Sequence, residues 1–205
     1  MSSRTLIAAI TVISVTSAAG AQESNSCHGI ADGAERLSCY DEQTGFAATA
    51  AEEVAGGEGG GQWLFQEETS GIDGRRDVWL SVMSQNTQPG TLGRQGSARL
   101  WVRCMQNSTN VFITFNAYTT DDQQVRYRLD DRAAASVYME TMRGGDGIGI
   151  WSGGRAIPFA RSLFDANTLL VEYSSYEHTG LEFEFDVSGL RERIGPLAEA
   201  CNWRP

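Results

Sequence analysis

The chain contains no lysine, and all 16 of its basic residues are arginines. Its 26 acidic residues give a formal net charge of −10. A chain this acidic is a poor candidate for non-specific binding to nucleic acid or to an anionic membrane. The glycine-rich segment 144–149 also lacks the lysine-bearing helix that a phosphate loop needs. We interpret the acidity as a source of solubility.

Groups that carry chemistry are scarce as well. The two histidines are His28 and His178, and neither lies at a recognisable nucleophile motif, so a catalytic triad is not expected. We interpret both as solvated loop residues. No C-x-x-C pair occurs, and the acidic pairs at 121–122 and 130–131 lack EF-hand spacing. We therefore predict no catalytic residues, no metal site and no cofactor.

Long apolar runs are missing after the N-terminus. The run Leu6–Val15 is too short to span a bilayer comfortably, which argues against an integral membrane anchor. It follows Arg4 and precedes Ala19-Gly20-Ala21, which is the pattern of a signal peptide. We predict export, with cleavage near Ala21/Gln22.

Cysteine is present in an even number, as Cys27, Cys39, Cys104 and Cys201. In an exported chain this predicts two disulfides rather than a zinc site. Four cysteines allow three pairings, and we favour Cys27–Cys39 with Cys104–Cys201. This choice pairs the two cysteines that are close in sequence and leaves the two distant ones to pair with each other. A straight helix would separate the first pair by about 18 Å, beyond the disulfide limit of about 7 Å, so this segment must turn back.

Alternation of apolar and polar residues predicts a mainly β (α+β) fold, an antiparallel β-sandwich or meander. The stretch Ala98–Tyr118 is predicted as a central hairpin with its break at 107–109. Leu181–Val187 has the clearest alternation in the chain. Arg132–Met142 fits either a strand or a short helix, and Arg143–Gly149 is predicted as a loop.

Helices are predicted at both ends of the mature chain. Cys27–Asp41 has helical spacing, with Asp32 as a cap. A C-terminal helix is predicted with Ser188 as its cap and Pro196 as an interruption. The predicted organisation is a signal peptide (1–21), an N-terminal helical segment (22–55), a glycine-rich linker (56–61) and a β-rich domain (62–205).

Several segments resemble known proteins. The spacing C-x11-C-Y-D, ending in Glu35–Asp41, is similar to a motif of many Gram-negative periplasmic proteins. Trp63–Ser81, Leu100–Phe115 and Phe185–Trp203 resemble the TagO/VasI family of periplasmic proteins encoded with type VI secretion systems. The resemblance implies a periplasmic, non-enzymatic accessory protein whose partners are envelope or secretion-system proteins. It carries over no active-site residue, and only the paired cysteines are transferable.

An alternative function is a periplasmic enzyme or enzyme inhibitor acting on peptidoglycan or another envelope substrate. The outward row Glu182, Glu184 and Asp186 offers carboxylates for hydrolysis. The alternation with phenylalanine instead predicts the outer face of a half-solvated strand, which we favour. The missing nucleophile motif therefore favours the accessory role.

One surface is a candidate site for a partner or an anionic glycan. Arg99, Trp101 and Arg103 share the outer face of the central strand, and Arg and Trp are enriched at interface hot spots. The alternative, which we favour at this point, is a structural role. In that case these arginines, with Arg126 and Arg128, pair across strands with the outward acidic row at 182–186. The sequence does not predict the oligomeric state.

Overall fold

The computed structural model describes residues 27–45 and 61–205. The predicted signal peptide (1–21) and nearly all of the glycine-rich linker lie outside the described residues. The chain divides into two compact units, with the boundary between residues 49 and 50.

The N-terminal unit is a disulfide-closed helix. A 3₁₀ turn at Cys27–Gly29 precedes α1, Gly33–Thr44. The predicted cap is confirmed, because the Asp32 carboxylate accepts the backbone N–H groups of Ala34 and Glu35 at 2.9 and 3.0 Å. The Cys27–Cys39 disulfide folds the turn back onto α1, with the two Cα atoms 5.7 Å apart.

The second unit is built mainly from strands. Its strands are β1 (Leu64–Thr69), β2 (Arg76–Met83), β3 (Gln88–Pro89), β4 (Gln95–Gly96), β5 (Arg99–Met105), β6 (Ser108–Thr114), β7 (Gln123–Leu129), β8 (Ala135–Thr141), β9 (Gly147–Ile150), β10 (Thr168–Tyr173) and β11 (Leu181–Asp186). Its helices are α2 (Gly153–Ser162), α3 (Leu190–Arg193) and α4 (Gly195–Ala200), and a 3₁₀ turn lies at Thr91–Gly93.

Within the described residues, nine strands form one antiparallel sheet in the order β1-β2-β5-β6-β9-β8-β7-β10-β11. The sheet changes partners along β8, whose early residues pair with β7 while Glu140 and Thr141 pair with β9. An isolated bridge between Ser84 and Phe185 brings the end of β2 to β11. The sheet therefore curves around one core until β11 meets the end of β2, and the predicted mainly β, antiparallel fold is confirmed. The order is not a simple meander, because β6 pairs with β9 rather than β7.

The core lies where the alternation places it. Leu100, Val102 and Cys104 of β5 are fully buried, as are Phe183 and Phe185 of β11. Burial of side chains of this size supplies most of the driving force for folding. The Cys104–Cys201 disulfide then joins β5 to the residue that follows α4, which is the pairing that the sequence favours.

The C-terminal helix differs from the prediction in its cap. It consists of two short helices, α3 and α4, and Pro196 lies in the first turn of α4. The N-cap residue of α3 is Gly189, in the left-handed region at φ 74°, and not Ser188. The Ser188 hydroxyl instead accepts the N–H of Gly61 at 2.7 Å and donates to Asp186 at 2.5 Å.

Two further segments are settled by the structure. Arg132–Met142 contains a strand, β8, and no helix. The prediction of a loop over Arg143–Gly149 is wrong in its second half, because Gly147 and Gly149 belong to β9. The hairpin between β5 and β6 is present, but it turns at Gln106 and Asn107, whose φ angles are 52° and 57°. This is the left-handed geometry of a two-residue hairpin turn.

Candidate partner surface on the outer face of the central strands

The candidate surface is formed where β2, β5 and β6 lie side by side. Residues directly opposite each other on paired strands share a face. The register places Trp79 and Asn110 beside Arg103, Ser81 and Phe112 beside Trp101, and Met83 and Thr114 beside Arg99. The three residues selected from the sequence therefore stand at the centre of three adjacent rows.

Aromatic rings from different strands meet on this face. The ring of Trp101 is stacked on Phe112, with centroids 5.8 Å apart and planes 9° apart. Trp151, which follows β9, lies on the other side of Phe112 at 5.3 Å. Phe112 is buried despite its outward position because its neighbours cover it. Gly149 permits this arrangement, since a Cβ there would lie 2.3 Å from the Phe112 Cβ.

Both arginines stack on the aromatic rings. The Arg99 Cζ lies 5.3 Å from the Trp101 ring centroid, and the Arg103 Cζ lies 5.0 Å from that of Phe112. Such cation–π contacts contribute about 0.5–2 kcal/mol each, depending on exposure. We call the cluster of Arg99, Trp101, Arg103, Phe112 and Trp151 the arginine–tryptophan surface.

Neutral hydrogen-bond partners hold the cluster in place. Arg99 donates to the Ser81 hydroxyl at 3.1 Å, and Arg103 donates twice to the Asn110 carbonyl oxygen, at 3.3 and 2.8 Å. The Asn110 amide in turn donates to the backbone carbonyl of Trp151 at 2.7 Å. These bonds orient the guanidinium groups without neutralising their charge.

The two guanidinium groups have no carboxylate partner within the part of the chain that the structure describes, since neither forms a salt bridge there. Burial lowers the pKa of Arg103, and the more distant charge of Asp77 opposes this shift. An arginine nevertheless remains protonated at any physiological pH. The surface therefore presents two fixed positive charges in an acidic protein.

The predicted pairing of Arg99 and Arg103 with the acidic row of β11 is wrong. In the described residues neither arginine forms a salt bridge. The strand β11 pairs with β10 and meets the end of β2 at the Ser84–Phe185 bridge, and it does not pair with β5. On β7 the pairing is closer to the prediction, because Arg126 lies opposite Glu172, which lies opposite Glu182. The Arg126 guanidinium binds Glu172 at 2.9 Å.

The two histidines have hydrogen-bond partners of their own. His28 is in the N-terminal unit with its Nδ1 3.1 Å from the Tyr40 hydroxyl, and His178 lies near the Gly90 carbonyl at 3.4 Å. Within residues 27–45 and 61–205, no group of three His, Cys, Asp or Glu side chains converges as a metal site would require.

Sequence reasoning missed Phe112 and Trp151. Phe112 occupies an outward position in the alternation of β6. A large aromatic residue at an outward position could have indicated that it belongs to the surface cluster. Trp151 follows a glycine-rich strand, which has no local alternation that would place it.

The fold defines a disulfide-stabilised, mainly β protein, and its candidate site is the arginine–tryptophan surface. In the described residues, no helix combines the length and apolarity needed to cross a bilayer. Residues 26–203 match the family model described as Type VI secretion system VasI, EvfG. The chain belongs to this family, which confirms the resemblance and makes it a type VI secretion-associated protein. No curated protein and no solved structure matches the chain.

Proposed function

We propose that this protein is a non-enzymatic accessory component of a type VI secretion system, that it works in the periplasm, and that it acts through protein–protein contacts. Membership in the family supports the link to secretion. Two disulfides support an oxidising compartment, where such bonds persist.

The arginine–tryptophan surface is the observation that carries the proposal of protein contact. Two guanidinium groups are already oriented by stacking and by neutral hydrogen bonds, so a partner need not order them on binding. Each guanidinium has five N–H donors, and the hydrogen bonds described above engage one at Arg99 and two at Arg103. The remaining donors fit carboxylates of a partner, because arginine binds carboxylates through parallel N–H groups.

The test is a pull-down from the periplasm with the mature chain and its variants. We expect Arg99→Ala combined with Arg103→Ala to reduce retention of the secretion partner at least about tenfold, since hot-spot truncations have effects of this size. Arg126→Ala is the matched control, because this arginine is exposed and bound to Glu172 on another part of the sheet. It should leave retention unchanged.

A thermal unfolding measurement separates contact from stability. Trp101→Ala removes the stack on Phe112 and is expected to lower both stability and retention. Unchanged partner binding by a destabilised Trp101→Ala protein would show that the cluster is only a packing feature of the sheet.

A further inference from the structure

Four connections meet at one end of the sheet. The strand register places the end of β2, the start of β5, the end of β6 and the start of β9 at this same end. The end of β8 and the start of β7 lie there too, as do the end of β10 and the start of β11. The loops concerned are residues 84–98, 115–122, 142–146 and 174–180.

Backbone hydrogen bonds fix these loops to one another. Thr91 donates to the Asn116 carbonyl, Thr119 to the Gly145 carbonyl and Tyr176 to the Tyr118 carbonyl, each at 2.7 Å. The four loops therefore form a single continuous surface, which we call the loop-end surface.

Three of the loops each present a large apolar or aromatic side chain to solvent. Leu92 is 83% exposed, Tyr118 is 55% exposed and Tyr176 is 75% exposed. The Tyr118 ring lies over Gly145, where an added Cβ would be 2.2 Å from a ring carbon. A single exposed apolar residue needs no explanation, but a group held on adjoining loops is typical of an interaction site.

Leu92 is also held in an unfavourable backbone conformation. Its φ and ψ angles are 58° and 28°, in the left-handed region that bulky residues rarely adopt. Glycine or asparagine would fit this position with less strain. Burial of the Leu92 side chain within the described residues does not offset this strain, because the side chain is exposed to solvent. Strain of this kind is retained where it serves a function.

The charges around these side chains indicate the partner. The exposed charged residues of the four loops are four acids and two bases: Asp121, Asp122, Asp146, Glu177, Arg94 and Arg143. With four acids against two bases the loop-end surface is net negative, so an anionic membrane would repel it and a basic surface would attract it.

We propose that the loop-end surface docks a protein partner that offers an apolar recess bordered by arginine or lysine side chains. Leu92, Tyr118 and Tyr176 are the anchors that enter the recess, and the acids around them contact its border. The inference rests on the proposed function only in requiring that the chain acts by protein contact. Its anchor residues are different, although the two surfaces adjoin where Arg99 lines one depression with Asn116 and Asp146.

The test starts from the full chain exported in cells that carry the secretion apparatus. A photo-reactive benzoylphenylalanine replaces Tyr176, and mass spectrometry identifies both the crosslinked protein and the crosslinked peptide. The purified crosslinked protein is then the probe for binding measurements. We expect the peptide to border an apolar recess with basic neighbours, and the affinity to fall as salt is raised.

Leu92→Gly and Leu92→Asn are the decisive variants, because both remove the apolar side chain and relieve the backbone strain. We expect a melting temperature at or above that of the wild type and an affinity at least tenfold weaker. Ile72→Ser is the matched control, since Ile72 is 99% exposed but lies in the turn between β1 and β2, at the opposite end of the strands. Its affinity should stay within twofold of the wild type.

Wild-type affinity in both Leu92 variants would overturn the inference, and so would crosslinking to lipid or to a second copy of this chain. Binding of the chain to phosphatidylglycerol vesicles that is lost in Leu92→Gly would overturn it in favour of a membrane. Trp101→Ala distinguishes the two proposals. If this variant loses partner retention in the pull-down but keeps the crosslink from position 176, the arginine–tryptophan surface and the loop-end surface act independently.

Discussion

The arginines of this protein stack on aromatic rings and donate hydrogen bonds at the same time, which lysine cannot do. Arg99 and Arg103 lay planar guanidinium groups on aromatic rings while their N–H groups still donate to Ser81 and Asn110. An ammonium group is a compact, strongly hydrated charge that cannot stack in this way. The chain has no lysine at all, and the described residues contain further stacks of this type at Arg155, Arg161 and Arg191. Replacing these arginines by lysine is therefore not a conservative change.

Asp130 supplies a prediction at the scale of a single carboxyl group. Its side chain accepts the backbone N–H groups of Asn167 and Thr168, both at 2.9 Å, and so ties the end of β7 to the start of β10. These bonds, helped by the charge of Arg132, hold the pKa of Asp130 below its ordinary value of 3.8. A carboxyl with a depressed pKa stabilises the fold fully above the unfolded-state pKa, and this stabilisation is lost as the pH falls through the folded-state value.

We expect Asp130→Asn to remove this part of the acid sensitivity. Asparagine keeps an acceptor oxygen and tolerates the φ angle of 47° at this position, but it carries no charge. The variant should therefore melt below the wild type at pH 7, and the gap should close as the pH drops below 3.8. Melting temperatures measured from pH 7 to pH 2 check this, with Asp131→Asn as the neighbouring control. A gap that stays constant with pH would contradict it.

At the scale of strands and helices, the sequence predicts what is local. The faces of β5 and β11 follow from period-two alternation, because burial on one side of a strand is visible in the strand itself. The strand β9 is not predictable in this way. Gly147 and Gly149 read as a loop, and their reason for being in a strand is the close approach of Ile113 and Phe112. The arginine–tryptophan surface is partly predictable for the same reason. The β5–β6 hairpin supplies Arg99, Trp101, Arg103 and Phe112, whereas Trp151 comes from a distant segment after β9.

The contact between the end of β2 and β11 combines backbone pairing with side-chain hydrogen bonds. Gln85 donates its backbone N–H to the Glu184 carbonyl at 2.7 Å. Asn86 follows β2 and imitates a strand residue, because its amide donates to the Glu182 carbonyl at 2.8 Å and its oxygen accepts the Glu184 N–H at 3.0 Å. Gln88 adds one donation to the same Glu182 carbonyl at 2.7 Å.

We expect Asn86→Ala to lower the free energy of unfolding by about 1–2 kcal/mol, because it removes both hydrogen bonds and leaves a strand N–H unpaired. Gln88→Ala removes one bond to a carbonyl and should have a smaller effect. Urea unfolding followed by tryptophan fluorescence measures both. Equal effects from the two variants would mean that the pairing with β11 does not depend on the Asn86 side chain.

At the scale of the whole molecule, the charge of a local surface can differ in sign from the net charge. The net charge is −10, yet the outer face of β5 carries two guanidinium groups that form no salt bridge in the described residues. The loop-end surface instead carries four exposed acids and two exposed bases. We propose that the two surfaces bind partners of opposite charge, and on this proposal rising salt is expected to weaken binding at both.

The Cys104–Cys201 disulfide gives the last prediction, because the loop that it closes contains about two thirds of residues 61–205. It joins residues 97 apart in sequence and ties the buried end of β5 to the chain after α4. In the chain-entropy model, closing a loop of about 100 residues stabilises a protein by about 4–5 kcal/mol. Typical domains have only about 5–15 kcal/mol in total, so this bond is a large share of the stability.

We expect Cys104→Ala combined with Cys201→Ala to lower the urea midpoint strongly while the remaining folded protein keeps its β-sheet circular dichroism. All five tryptophans lie between residues 63 and 203, so their fluorescence reports the second unit. The control is Cys27→Ala combined with Cys39→Ala. A crosslink between these two cysteines does not constrain the unfolded chain of residues 61–205, so the fluorescence midpoint should not move. An unchanged midpoint in the first variant would show that packing of α4 against β2 and β5, and not the crosslink, holds the C-terminus in place.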